Sequence, residues 1–237
     1  MIRIPAQPPT EVVTDELTLL RRLVPLHGLH IVELGCGAGG LARRLLQAHP
    51  DCRVMGLEVD ARQHAKNLAA PATPGLNFIA AGAEAVPAAD GAFDLALMLK
   101  SLHHVPLALL DQALAEVRRV LRPGGWLYVS EPVFDGALNE VMRLFNDEQQ
   151  VRSAAYAALQ RALAGGGWRQ LTERYFTVPV HYADFDDFER RSTGVTYAER
   201  RWSAELRERV RARFEALRPP PGQAFSRPMR VNLLQKI

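Results

Sequence analysis

An apolar strand pattern that breaks into glycines and resumes at once as a helix constrains this chain more than any other feature. The stretch is Ile31-Val-Glu-Leu-Gly-Cys-Gly-Ala-Gly-Gly-Leu41. Gly35, Gly37 and Gly39 let the backbone turn sharply and leave no side chain between it and a ligand. The helix start beyond them offers N–H groups without intrahelical partners. Glu33 is the unusual residue. A turn built for a pyrophosphate would not carry a carboxylate two positions before its first glycine. A turn built for a cationic ligand would.

The same alternation continues along the chain. Residues 11–24 read as a helix with Leu17, Leu20 and Val24 on one face, ended by Pro25 and Gly28. Residues 29–34 form the first strand. The helix after the glycines turns Leu41, Leu45 and Leu46 inward and Arg43 and Arg44 outward. Residues 53–58 form a second strand, and Asp60 caps a helix running to Ala69. Strands follow at 76–81 and 93–99, the latter almost wholly apolar, as a strand covered on both faces is. Leu107, Leu110, Leu114, Val117 and Leu121 mark the clearest helix, stopped by Pro123-Gly-Gly125. Residues 126–130 make a fifth strand. Strands alternating with helices predict a doubly wound α/β domain around a parallel sheet.

The rhythm then changes. Residues 136–164 read as one or two helices, 168–178 as a strand, 184–193 and 198–217 as helices, and 229–235 as a last strand. The whole chain, 1–237, is expected to be one domain. Its parts are an N-terminal segment 1–25, a cofactor-binding core 29–131, a helical insertion 136–164 and a C-terminal part 168–237.

Composition narrows the setting. The chain is 48% hydrophobic and 23% charged, enough for a full-sized core. No run approaches the ~18 apolar residues of a membrane helix. The first residues lack the apolar core of a secretory signal. Cys36 and Cys52 make neither a disulfide framework nor a metal cluster. A cytoplasmic, reducing setting is expected, with no metal. Cys36 sits in the glycine turn for its small size rather than its reactivity. The net charge is only +3. The arginines around 200–213 alternate with Glu199, Glu205 and Glu208, the pattern of a solvated helix face rather than a nucleic-acid footprint.

Ligands of open α/β sheets sit beyond the carboxyl ends of the strands. Attention therefore falls on Glu33, Gly35, Cys36, Gly37 and Gly39, on Glu58, on Ala81 to Glu84, on Leu99 to His104 and on Glu131. Glu58 lies about 20 residues beyond the glycines, where a carboxylate can take two hydrogen bonds from a ribose diol. The structural alternative is a helix-capping acid, a role that suits Asp60 better. Gly35, Gly37 and Gly40 also fit the dinucleotide pattern G-x-G-x-x-G. Glu33 would repel a phosphate and attract an ammonium or sulfonium.

Four stretches together carry a resemblance to a known family. They are Val32-Glu-Leu-Gly-Cys-Gly-Ala-Gly39, Gly56-Leu-Glu-Val-Asp60, Gly91-Ala-Phe-Asp-Leu95 with Leu102-His-His-Val105, and Val117-Arg-Arg-Val-Leu-Arg-Pro-Gly-Gly125. In this order and spacing the chain resembles the class I S-adenosylmethionine-dependent methyltransferases, and looks closest to the ubiquinone and menaquinone branch. The resemblance covers residues 29–131. It implies a Rossmann-like, seven-stranded sheet whose last strand is antiparallel. It implies S-adenosylmethionine as cofactor, with Glu33 near its methionine part, Glu58 on the ribose and Val59 against the adenine. The family's loop after the third strand carries an aspartate for the adenine amino group. Gly82 stands in that place here. Glu84 or a water could replace the contact, and the Ala83 N–H could serve a ring nitrogen.

The resemblance implies in-line methyl transfer to a small-molecule acceptor, with the product S-adenosylhomocysteine. His103 and His104 follow the fourth strand, beside the expected position of the methyl group. Either could act as base, His104 ahead of His103; the alternative is a packing pair before a helix. Lys100 and Glu131 could line the same pocket, or serve as a solvated lysine and a loop contact. His181, Tyr175 and Tyr182 are further candidates with structural alternatives. Segments 1–25 and 136–164 are expected to form a lid, with Leu144, Phe145 and Tyr156 facing substrate or packing in the core. Leu99-Lys-Ser-Leu102 stands where amino-directed nucleic-acid methyltransferases carry Asn-Pro-Pro-Tyr or Asp-Pro-Pro-Tyr. The rival readings are an RNA methyltransferase, an NAD(P)-dependent oxidoreductase and a non-catalytic S-adenosylmethionine-binding protein.

Overall fold

A computed structural model describes residues 11–194 and 201–237. The elements run in the predicted alternation: α1 (Glu16–Leu23), β1 (His30–Leu34), α2 (Gly40–Ala48), β2 (Arg53–Leu57), α3 (Ala61–Ala69), β3 (Leu76–Ile79) and β4 (Phe93–Leu99). Then come α4 (Leu110–Val120), β5 (Leu121–Pro132), α5 (Ala137–Met142), α6 (Gln149–Ala164), β6 (Trp168–Val180), α7 (Phe185–Thr193), α8 (Ala204–Leu217) and β7 (Phe225–Lys236). The strands form one seven-stranded sheet in the order β3-β2-β1-β4-β5-β7-β6. The first five strands are parallel where they pair, and β7 is antiparallel to both β5 and β6.

The strands are apolar on both faces because both faces are covered. In β4, Leu95 and Leu97 pack toward α1 and α2, while Ala96 and Met98 pack toward α4 and α6. Ile31 and Val32 divide in the same way on β1. Glu33 therefore points to the α2 face, two residues beyond Ile31. The strand order reverses between β1 and β4, and the glycine turn leaves β1 at that point.

Several boundaries differ from the sequence reading. Residues 11–15 are extended rather than helical. Val13 N–H donates to Thr177 O at 2.8 Å and Thr177 N–H donates to Glu11 O at 2.8 Å, so this stretch pairs with β6. The Asp15 side chain accepts from Leu17 N–H and starts α1 there. Residues 1–10 of the expected 1–25 segment lie outside the described residues. So do residues 198–200 of the helix expected over 198–217; within the described part, Ser203 caps α8 through Leu206 N–H. β5 begins at Leu121, where it pairs with Phe93 across an irregular register before resuming at Trp126.

The two helices of the insertion 136–164 pack on different partners. α6 packs against α4, and its Ala155, Ala158 and Leu159 join the main core. Leu144 and Phe145 turn instead into a separate cluster built around Phe185, Phe188 and Phe214. Phe145 lies 4.7 Å from Trp202 and 6.0 Å from Phe188, centroid to centroid. Tyr156 lies under the Arg230 guanidinium, 3.9 Å from ring centroid to Arg230 Cζ. α1, by contrast, packs on α2 next to the glycine turn.

Candidate active site

The glycine turn is held from three sides. Gly35 and Cys36 N–H both donate to Leu57 O at 2.9 Å. Gly37 N–H donates to Glu58 Oε2 at 2.8 Å, and Asn67 Nδ2 donates to Gly37 O at 2.7 Å. Ser101 Oγ donates to Leu34 O at 2.7 Å and packs directly beneath Gly35. A Cβ on Gly35 would come within 2.7 Å of Ser101 Cβ, at a φ of +70°. A Cβ on Gly37 would meet nothing within 4 Å among the described residues, so this turn has open space above it. Gly39 has a different neighbour: its Cβ would collide with the Phe78 ring at 2.7 Å. Gly39 thus sets the packing of α2 on β3.

Sequence spacing did not reveal Asn67 or Ser101. Asn67 is the one buried residue of α3, and Gln63 Nε2 donates to its Oδ1 at 2.8 Å. The i, i+4 pairing of two amides on one helix face was the only signal available.

Glu33 is buried, and among the described residues its Oε2 meets no hydrogen-bond donor. Desolvation pushes its pKa up to about 7, against the opposing pull of the Ala42 N–H and of Arg44 and Lys100. A buried carboxylate with an unmet oxygen is costly unless a cation or donor arrives. Glu58 is better supplied, because Asp60 N–H donates to its Oε1 at 2.8 Å. Asp60 itself caps α3 through Arg62 N–H, the role expected of it. Val59, between them, is 71% exposed, a flat apolar surface beside the turn. The Cys36 thiol is pushed up to about 12 by burial and then by Glu33 and Glu58, which makes it inert. Leu99 ends β4 as a half-buried residue on the α2 face.

In the loop after β3, Ala83 is buried and Glu84 is half-buried. The Glu84 carboxylate folds back over Gly82, and a Cβ built on Gly82 would fall inside it. The space that a side chain at position 82 would fill is therefore taken by a carboxylate from position 84.

The two histidines separate. His103 is buried, its Nδ1 against Glu131 Oε2, while Glu131 Oε1 accepts from Leu102 N–H at 2.9 Å. His103 Nε2 faces Glu148 Oε2 at 3.9 Å, and Glu148 in turn pairs with Arg152 at 2.6 Å. His104 is exposed, its ring 4.0 Å from that of His103. Local desolvation, and then the neighbouring His103, hold its pKa below the usual histidine range. A neutral, accessible imidazole can accept a proton at neutral pH. Of the two, His104 is the exposed one and His103 the buried one.

The chain order showed no metal-ligand cluster, yet the fold brings donor atoms of His103, His104 and Glu148 within 4.8 Å of one another. Of these three, His103 also meets Glu131, and Glu148 also pairs with Arg152. The distant candidates stay distant. Tyr175 donates to Glu173 at 3.1 Å, Tyr182 packs 5.1 Å from Phe188, and the His181 carbonyl accepts from Arg191.

Residues 31–125 match the methyltransferase domain family. The chain is 33% identical over 164 residues to phthiotriol/phenolphthiotriol dimycocerosates methyltransferase 1 of Mycobacterium ulcerans, covering 66% of this chain and 51% of that protein. It is 34% identical over 154 residues to an O-methyltransferase of Aspergillus nomiae, covering 60% of this chain and 65% of that protein. The family match spans the glycine turn, Glu33, Glu58 and both histidines, and these relatives are themselves methyltransferases. The chain spans about half to two thirds of the length of these curated relatives. The matches do not single out the ubiquinone and menaquinone branch of this family. A solved S-adenosylmethionine-dependent methyltransferase of Methanosarcina mazei shares the fold, with a TM-score of 0.61 at 15% identity, covering 95% of this chain and 99% of that one. Among the described residues, no helix is long and apolar enough to cross a membrane.

Proposed function

We propose that this protein transfers a methyl group from S-adenosylmethionine to an oxygen of a small-molecule acceptor. The observation that carries this reading is Glu33, a buried carboxylate with an unmet oxygen beside an open glycine turn. Its sign suits the ammonium and sulfonium of that cofactor and opposes the pyrophosphate of a dinucleotide.

The residues fit the cofactor part by part. Glu33, with Gly35, Cys36 and Gly37, would hold the methionine end. Glu58 would take the ribose hydroxyls on the lone pairs that Gly37 and Asp60 leave open. Val59 and Leu99 would flank the adenosine, and the Ala83 N–H would meet a ring nitrogen. Glu84, folded over Gly82, would replace the missing aspartate at the adenine amino group. When bound, the cofactor supplies a methyl group already activated by positive sulfur. The protein's own task is to orient the acceptor, exclude water and take up its proton. His104 is the residue we assign to that proton. His103, locked between Glu131 and Glu148, positions it.

The O-methyltransferase name of the Aspergillus nomiae relative supports an oxygen acceptor. Calorimetry separates this reading from its rivals. S-adenosylhomocysteine should bind and NADH should not; the reverse would sink the proposal. Labelled S-adenosylmethionine should then transfer its label to small hydroxylated acceptors and not to RNA. No transfer to any acceptor by a protein that binds S-adenosylhomocysteine would point to the non-catalytic alternative. His104→Gln should lower kcat about 100-fold and leave S-adenosylhomocysteine affinity intact. In the parent protein, kcat should rise with pH along a limb below 6.5.

A further inference from the structure

Lys100 is the one described non-glycine residue with positive φ, at +56°. An L side chain is strained there, and such strain persists where the surroundings enforce it. Here Lys100 N–H is held on Ser130 O at 2.7 Å, and Ser101 and Leu102 are fixed by Leu34 and Glu131. The bend turns Lys100 into a cavity of about 180 Å³ between the 13–16 stretch, α2 and the start of β7.

The charges in this cavity do not balance within the protein. Asp15 accepts from Leu17 N–H and pairs with Arg44 at 3.5 Å. Glu16 accepts from Tyr128 OH at 2.8 Å. Lys100, itself exposed to solvent, and Arg227 also line it, and neither forms an ion pair with a described residue. Arg227 is half-buried, and burial lowers its pKa against the opposing pull of Tyr182. The cavity also borders the cofactor site, because Arg44 and Lys100 both act on the Glu33 carboxyl. Beside a cationic methyl donor, two unmatched cations repel it unless an anion enters with the acceptor.

We propose that Lys100 and Arg227 anchor the carboxylate of an acidic acceptor, a small hydroxy acid. This rests on the methyl-transfer reading above. A carboxylate is also carried by the amino-acid end of the cofactor, so the test has an arm for each source.

Protein saturated with S-adenosylhomocysteine is titrated calorimetrically with 3- and 4-hydroxybenzoate, 4-hydroxycinnamate and 3-hydroxybutyrate, each against its neutral methyl ester. At least one acid should bind tenfold or more tighter than its ester. Arg227→Met and Lys100→Met should abolish that preference, Arg227→Lys should keep part of it, and S-adenosylhomocysteine affinity should change less than twofold. Thermal melts of each variant check that it folds. Equal or undetectable binding of every acid and ester overturns the inference. So does a preference that survives both methionine variants. A tenfold loss of S-adenosylhomocysteine affinity in Lys100→Met or Arg227→Met, with the acid preference intact, assigns these cations to the cofactor and also overturns it. If S-adenosylhomocysteine does not bind the parent protein, the methyl-transfer reading fails first, and the two failures are distinguishable.

Discussion

Burial holds Glu33 near half-ionisation at neutral pH, with a pKa of about 7 against an ordinary 4.5. Ionising it in the ligand-free fold therefore costs about 3 kcal/mol. The sign follows from the raised value: its contribution to stability is full below about pH 4.5 and is lost as pH rises through about 7. Denaturant unfolding should show the ligand-free protein losing stability from pH 5 to pH 8, and Glu33→Gln losing less. Parallel pH profiles would remove Glu33 from this role. A cationic ligand reverses the cost, so S-adenosylhomocysteine affinity should climb between pH 6 and pH 8. Glu33→Gln should weaken it at least tenfold at pH 8 and flatten the profile. Glu84→Ala should weaken it by about tenfold, a charge-assisted hydrogen bond's worth. Adding Gly82→Asp to that variant should recover the loss, since the aspartate enters the space the Glu84 carboxylate has left. Glu33 and Glu58 were legible in the sequence because their places relative to the glycines are local. Asn67, Ser101 and the fold-back of Glu84 were not, because each is defined by a contact rather than a spacing.

Among the elements, α6 separates reading from structure most clearly. Its apolar residues fit a lid or a core equally well, and sequence periodicity cannot say which surface a helix will meet. Folded, it places Leu159 in the main core with no exposure and brings Glu148 and Arg152 to the site from its first turns. Leu159→Ala should accordingly destabilise the whole protein by about 2–4 kcal/mol in a single cooperative transition. A change confined to acceptor binding, with unfolding unaltered, would restore the lid. β1, α2, β4 and α4 were readable nearly to the residue. Their patterns are strong, and their ends carry glycine, proline or a capping acid. The 11–15 stretch misled because its residues suit a helix until pairing with Thr177 draws them into extended form.

For the molecule as a whole, the site is a meeting of β1, β2 and β4 ends under helices from both faces, so ligand binding should stabilise the entire fold. S-adenosylhomocysteine at 100 times its Kd should add about 2.7 kcal/mol and raise the melting temperature by roughly 5–11 °C. NADH at the same excess should leave it unmoved. The sequence by itself determined the α/β alternation, the glycine turn and the two acids flanking it. All of these rest on short-range geometry, where residue type and spacing fix backbone shape. Only the tertiary structure decided that His103 is locked and His104 accessible, that α6 is a wall of the core, and that Lys100 and Arg227 face one cavity. Those are juxtapositions of residues 28 to 127 positions apart, and no local pattern encodes which distant side chains a folded sheet will bring to one place.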